Sequence, residues 1–202
     1  GHQLQVGLEQ LNGATAETLP AACRAARGFV EAARINELDT LDTILELASD
    51  RARVGGYLAR MKKSIEASAA AHLTALQAHM EATAARLGTK PPVIVLSDLE
   101  KRAARVVPRP TPKVRSRGYR GYNAFIAEVP KEQKAKYPQG QFGAPGMDFM
   151  GTTPELHCLI NGAHSALDIK TMLDAQFTRP ANLEHLLNYL QVLKLAGLVE
   201  FK

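Results

Sequence analysis

Aromatic residues are scarce in this chain, since they make up 5% of its 202 residues and there is no Trp. Because 46% of the residues are nevertheless apolar, the composition predicts a helical interior packed mainly with Ala and Leu. No apolar run comes near the roughly 18 residues that a membrane span needs, so no membrane span is expected. Cysteine is equally scarce, and Cys23 and Cys158 neither require nor exclude an oxidising compartment. The composition therefore leaves the localisation unknown.

Motifs that hold phosphates, dinucleotides or metal ions are also missing. The stretch Gly140–Gly143 has the glycine spacing of neither a phosphate loop nor a dinucleotide fingerprint. His72 and His79 are seven residues apart, whereas a zinc-binding helix places its pair four apart. His157 and Cys158 point about 100° apart on a helix, which is wrong for a dyad that acts on one substrate; Cys158 is expected to be a buried small hydrophobe. We expect no catalytic residue, no metal site and no cofactor, and hence no enzyme activity in this chain.

Residues 3–88 are rich in Ala and contain a single Pro, which predicts helix almost throughout. Breaks are predicted near Asn12 and near Asp50. The second apolar series steps mostly by four and three residues, like a heptad seam with one stutter. This candidate packing seam consists of Val54, Leu58, Met61, Ile65, Leu73, Leu76 and Met80. A helix from 51 to 87 would be roughly 55 Å long and needs a partner, so we expect it to fold back on the first series as a long antiparallel hairpin.

Residues 89–151 are predicted to form a basic, Pro/Gly-rich linker with one short helix. A capping box at Ser97–Glu100 opens that helix, which is expected to last to about Val107. Alternating prolines at 108, 110 and 112 then predict an extended, polyproline-like arm. Residues 101–136 hold 11 Lys and Arg against 2 Asp and Glu, a net charge of 11 − 2 = +9, whereas the two flanks are mildly acidic. Cations alternate with tyrosines in the arm at Arg109, Lys113, Arg115, Arg117, Tyr119, Arg120 and Tyr122.

This basic arm has two interpretations. Fixed positive charges with interleaved aromatic rings suit phosphate contact and base stacking, which makes the arm a candidate site for a polyanion such as nucleic acid. Alternatively, the arm is a charged linker that lies across acidic faces of its own flanking domains or of a neighbouring one. The second interpretation is favoured because no recognised nucleic-acid motif surrounds the arm.

Residues 152–202 have the order of three capped helices followed by a strand. The helices are predicted to open at Thr153, at Ser165 and at Asn182, a cadence typical of helix-turn-helix and winged-helix modules. A DNA-reading module places basic and amide side chains along its third helix, but Lys194 is the only Lys or Arg there. The region is net acidic and so poorly suited to a polyanion, and one strand is too few for a full wing. We therefore expect a winged-helix-like unit that serves packing.

The sequence of this region resembles winged-helix-like modules that are appended to larger bacterial proteins. The resemblance runs from Leu159–Gly162 through Ile169 to Leu195–Val199, and Gly146–Leu156 is similar to the region that follows the catalytic domain in some bacterial zinc aminopeptidases of metallopeptidase family twenty-eight. It implies an extracytoplasmic or periplasmic parent enzyme with two metal ions. None of the metal-ligand positions of such a peptidase falls inside this chain, so the resemblance makes it an accessory piece of an enzyme.

Together, these patterns predict a mainly α protein with a helical hairpin at 3–88, a linker at 89–151 and a winged-helix-like module at 152–202. We expect a non-catalytic accessory or protein-interaction region of a larger bacterial protein. Its partner would be a parent catalytic domain or a second copy in a homodimer, with apolar stripes for affinity and the arm for electrostatic orientation. The alternative is a nucleic-acid-binding regulator that uses the arm and the module together.

Overall fold

A computed structural model describes the chain over four ranges, which are residues 2–115, 122–138, 153–177 and 180–202. The described residues are mainly helical, as the composition predicted. The chain divides into two compact units between Val95 and Leu96. This division differs from the three predicted domains, because the described part of the predicted linker from Leu96 onward belongs to the second unit.

The first unit contains the helices α1 (His2–Asn12), α2 (Leu19–Leu47) and α3 (Arg51–Arg86). Pro20 occupies the first turn of α2, where a missing backbone N–H costs nothing. The carboxylate of Asp50 caps α3 by accepting a hydrogen bond of 3.0 Å from a backbone N–H of the first turn. The helix breaks therefore lie near Asn12 and near Asp50, as predicted.

Two ion pairs join α2 to α3. Arg34 pairs with Glu66 at 3.0 Å, and Asp42 pairs with Lys62 nearer the connection between the helices. A later residue on α2 thus meets an earlier residue on α3, which means that the two helices run antiparallel. We call the end at the connection the closed end and the opposite end the open end.

The core of the first unit lies at the open end, where α1 packs against both long helices. Gly7 approaches Ala26 so closely that a Cβ on Gly7 would lie 3.1 Å from the Ala26 Cβ. On α3, His79 Nε2 lies 2.9 Å from the side-chain oxygen of Asn12. The buried side chains of this core are Leu11, Ala14, Leu19, Cys23, Ala26, Val30, Leu76, Met80 and Ala84. The closed end lies outside this cluster.

The second unit is built from short helices and two strands. They are α4 (Asp98–Ala103), β1 (Pro108–Pro110), α5 (Pro112–Arg115), α6 (Tyr122–Glu128), α7 (Lys131–Lys134), α8 (Thr153–Leu159), α9 (Ala166–Gln176), α10 (Leu183–Leu195) and β2 (Val199–Phe201). The predicted capping box opens α4, although that helix ends at Ala103 instead of Val107. A second box, between Ser165 and Asp168, opens α9, and Asn182 caps α10 by accepting two backbone N–H groups.

The core of the second unit surrounds α10, which packs against α4, α6, α9 and β2. Leu186 and Leu190 of α10 are fully buried there. The segment predicted as a linker contributes four buried residues to the same core, namely Ala103, Val114, Ile126 and Val129. Its described part is therefore built into the unit, because its scattered apolar side chains are buried in the same core as α10.

The strands β1 and β2 form an antiparallel pair. The register pairs Pro108 with Phe201, Arg109 with Glu200 and Pro110 with Val199. Backbone bonds from Lys202 N to Val107 O (3.1 Å) and from Thr111 N to Leu198 O (3.0 Å) flank the strand. Because alternate residues of a strand point their N–H groups to opposite edges, both prolines fall where no N–H is needed toward β2. The first part of the arm is thus a strand paired with β2, where an extended, polyproline-like segment was predicted, and the terminal strand has a partner.

Candidate interaction surfaces

The basic arm begins with two cations whose side chains contact their own unit. Arg109 Nε lies 2.7 Å from a carboxylate oxygen of Glu200 on the neighbouring strand, and both side chains are half exposed. Lys113 Nζ donates a hydrogen bond of 2.9 Å to the carbonyl oxygen of Ala196. The same ammonium lies 3.8 Å from the centre of the Phe125 ring, a distance suited to a cation–π contact. Arg109 thus binds the arm to β2, and Lys113 binds it to the end of α10.

The structure places the rest of the arm only in part. Arg115 ends α5 and Tyr122 begins α6, but their side chains lie outside the description. Arg117, Tyr119 and Arg120 lie outside the described residues altogether. That the seven arm residues bind a polyanion or a partner therefore stays a prediction.

The other side of β1 is bonded by the loop between α8 and α9 and by the first residue of α9. Gly162 N–H donates to Pro108 O at 3.0 Å, and Ala166 N–H donates to Val106 O at 2.7 Å. Gly162 has a φ of +81°, in the left-handed region, and a Cβ there would lie 2.8 Å from the Arg109 Cβ. The arm is thus bonded along both edges, and Gly162 permits the closest approach.

Gly162→Ala is expected to lower the free energy of unfolding of the second unit by about 1–3 kcal/mol, because it adds left-handed strain and a clash with the arm. Urea denaturation followed by circular dichroism measures the loss. Gly197→Ala is the matched control, since Gly197 also has a positive φ, of +68°, but has no atom within 4 Å of the added Cβ. Equal losses in both variants would contradict the clash with Arg109.

His157 and Tyr189 form a buried polar pair in the second unit. His157 Nε2 lies 2.8 Å from the Tyr189 hydroxyl oxygen, and the two rings stack with their centres 6.1 Å apart. Burial lowers the pKa of His157 to about 4, so the ring is neutral at physiological pH. The adjacent Cys158 is exposed, which corrects its predicted burial. α8 has only two turns, and Cys158 falls on its outer side.

The predicted packing seam of α3 is unevenly buried. Leu58, Leu76 and Met80 are buried, Val54, Ile65 and Leu73 are partly buried, and Met61 is exposed. Two of the three buried residues belong to the core at the open end. The seam is therefore most continuously buried at the open end, whereas nearer the closed end only Leu58 is buried.

Four large apolar side chains are exposed near the closed end: Ile44 by 44%, Leu47 by 82%, Tyr57 by 57% and Met61 by 37%. We call this set the tip face. A helix turns by about 100° per residue, so each member can be placed around its helix relative to a buried leucine, Leu41 on α2 or Leu58 on α3. All four members lie about 60–120° from that leucine, and all in the same rotational sense. Because the helices run antiparallel, the same sense of rotation leads to the same side of the hairpin. The tip face is thus one surface, and the predicted seam contained only one of its four residues.

The two helices carry opposite charges around the tip face. Residues 37–47 of α2 contain four acidic residues and no Lys or Arg, whereas residues 51–63 of α3 contain five Lys and Arg and no acidic residue. One acid of this set is paired with one base within the hairpin, Asp42 with Lys62. The guanidinium of Arg60 lies 5.9 Å from the centre of the Tyr57 ring, beside the apolar surface. The closed end therefore offers an apolar patch between an acidic helix and a basic helix.

Within the four described ranges, no group of three or more His, Cys, Asp and Glu side chains is placed to hold a metal ion. None of the described helices combines the length and the apolar character that crossing a bilayer requires. No protein-family model, curated protein or solved structure matches this chain. The function is therefore inferred from the surfaces themselves.

Proposed function

We propose that this chain is a non-catalytic accessory or protein-interaction region of a larger bacterial protein, and that it docks through the tip face of an antiparallel helical hairpin. The observation that carries the proposal is the exposure of the four tip-face side chains together on one side of two long helices. Contiguous apolar surface of this kind marks interaction sites in soluble proteins. Tyr57 and Met61 are moreover of residue types that are enriched in protein interfaces.

The architecture supports a docking role. The core of the first unit lies at the open end, where α1 packs against α2 and α3. The closed end projects from this core on two continuous helices, so the tip face is carried on rigid secondary structure, which reduces the ordering cost of binding.

We further propose that residues 152–202 form a winged-helix-like module used for packing, with a parent catalytic domain as one candidate partner. The order of α8, α9, α10 and β2 supports this assignment. The pairing of β2 with β1 supplies a second strand from the preceding segment. The resemblance to the region appended to zinc aminopeptidases would make that parent a metallopeptidase.

The nucleic-acid-binding alternative depends on the +9 net charge of residues 101–136. Two contacts weigh against it. Arg109 is paired with Glu200, and Lys113 is bonded to Ala196. A phosphate would have to displace both contacts, so the arm is a weaker polyanion site than its composition indicates.

Fluorescence anisotropy with labelled duplex DNA and single-stranded RNA at low salt tests this choice. We expect no saturable binding to either probe, because Arg109 and Lys113 are engaged within the unit. Binding whose logarithm falls with the logarithm of salt, by about 0.9 per phosphate contact on duplex DNA, would overturn the proposed function. The variant Arg117→Ser with Arg120→Ser is the matched control, since a lowered salt slope in that variant would assign the binding to the arm.

A further inference from the structure

We propose that the tip face binds the tip face of a second copy of this chain, about a two-fold axis that runs along the hairpin. This inference rests on the proposed function, because it names the occupant of the docking surface. The two copies would then form a local four-helix bundle with both closed ends at the same end.

The size of the patch suits such an interface. Its four side chains expose roughly 400 Å², given that large apolar side chains bury about 150–250 Å² each. A stable interface buries about 800 Å² on each partner. The tip face therefore supplies about half of this area as an apolar centre. Small polar side chains on the same side of the helices, Thr40 and Ser64 among them, would supply part of a polar rim.

The charges select a second copy as the occupant. A two-fold interface must be complementary to itself. On the side of the hairpin that carries the tip face, α2 presents the acidic Glu37, whereas α3 presents the basic Arg53 and Arg60. Packed helices lie about 8–10 Å apart, which is close to the Debye length of about 8 Å at physiological ionic strength. Salt therefore only partly screens the interaction between the charges of two facing helices.

The charges also select the orientation of the axis. With the axis along the hairpin, α2 of one copy lies on α3 of the other, and the acidic residue on the facing side of α2 meets the basic side of α3 twice. With the axis across the hairpin, α2 would lie on α2 and α3 on α3, and like charges would face each other. Attraction therefore favours the arrangement with the closed ends together.

Sedimentation velocity of the full chain over a range of micromolar concentrations tests the occupant. We expect a monomer–dimer equilibrium whose dissociation constant rises by at least about 100-fold in the variant Leu47→Gln with Tyr57→Gln, since both side chains lie in the apolar centre. The matched control is Val93→Gln with Val95→Gln, which removes two exposed apolar side chains outside the tip face. This control is expected to leave the dissociation constant unchanged. Circular dichroism of all variants checks that the helices are retained.

A spin label at Glu81→Cys, in a Cys158→Ser background, tests the axis. Glu81 lies on α3 toward the open end, 81 − 61 = 20 residues from Met61, which is about 30 Å along the helix. With the axis along the hairpin, the two labels lie toward the same end of the paired hairpins, one on each copy, and we expect a distance below about 40 Å. With the axis across the hairpin, the distance would exceed about 60 Å, and such a result would overturn the proposed axis.

A monomeric wild-type chain at every concentration would overturn the pairing of two copies. If that chain also fails to bind nucleic acid, the interaction function stands with a different partner. A dimer that survives the tip-face substitutions, or one that is lost equally in the Val93 and Val95 control, would place the contact elsewhere and overturn the assignment of the tip face.

Discussion

Leu190→Ala is expected to lower the free energy of unfolding of the second unit by about 2–5 kcal/mol. Leu190 is fully buried in α10, the helix against which α4, α6, α9 and β2 pack. Truncation removes apolar contacts and leaves a cavity, and elements on several sides of α10 would have to move together to fill it. Urea denaturation followed by circular dichroism measures the loss.

Leu195→Ala is the matched control for this prediction. Leu195 is on the same helix but is 40% exposed, so its truncation is expected to cost less than about 1 kcal/mol. If the two variants were equally stable, α10 would not be the centre of the core. The assignment of the predicted linker to the second unit would then lose its main support, because Ala103, Val114, Ile126 and Val129 are buried in that same core.

Local signals correctly predicted where several helices of this chain begin. The break at Asp50, the capping box at Ser165 and the cap at Asn182 are each decided by a side chain that bonds backbone groups two or three residues away. Such bonds form within one helical turn, so they can be predicted without the tertiary structure. The predominance of helix follows equally from the Ala-rich composition.

The path of the arm could not be predicted in the same way. The prolines fix φ for each residue but do not determine which strand will pair with their edges. β1 pairs with residues 199–201, about ninety positions further along the chain, and its other edge is bonded by the loop at Gly162. The run Val93–Leu96 shows the same dependence on distant partners. Its residues are β-prone, but they form no strand, because a strand exists only with a partner.

The sequence analysis did not predict the tip face, because helical periodicity identifies buried seams and most of the tip-face residues do not belong to one. Leu47 and Tyr57 fall between the regular steps of the two apolar series, so periodicity alone treats them as isolated surface residues. Their proximity follows only from the antiparallel pairing of α2 with α3. A signal was nevertheless present in the sequence, since an acidic helix segment directly precedes a basic one around the predicted connection.

Acidification is expected to destabilise the second unit through His157. Burial lowers the pKa of this side chain from its ordinary 6.5 to about 4, so the folded state holds the neutral ring while the unfolded chain takes up a proton at higher pH. The contribution of His157 to stability is therefore complete above about pH 6.5 and is lost as the pH falls toward about 4. A shift of this size corresponds to roughly 3 kcal/mol.

Urea denaturation of the wild type and of His157→Gln, at intervals between about pH 7 and pH 4, measures this effect. Glutamine keeps an amide group that can bond to the Tyr189 hydroxyl but cannot take up the proton. The variant is therefore expected to lose less stability than the wild type over this interval, although it is less stable at neutral pH. His72→Gln, on α3 in the first unit, is the matched control and should leave the pH dependence of the second unit unchanged. Equal losses of stability in His157→Gln and the wild type would mean that another group causes the sensitivity to acid. Protonation of His157 in its pair with Tyr189 would then not be the cause.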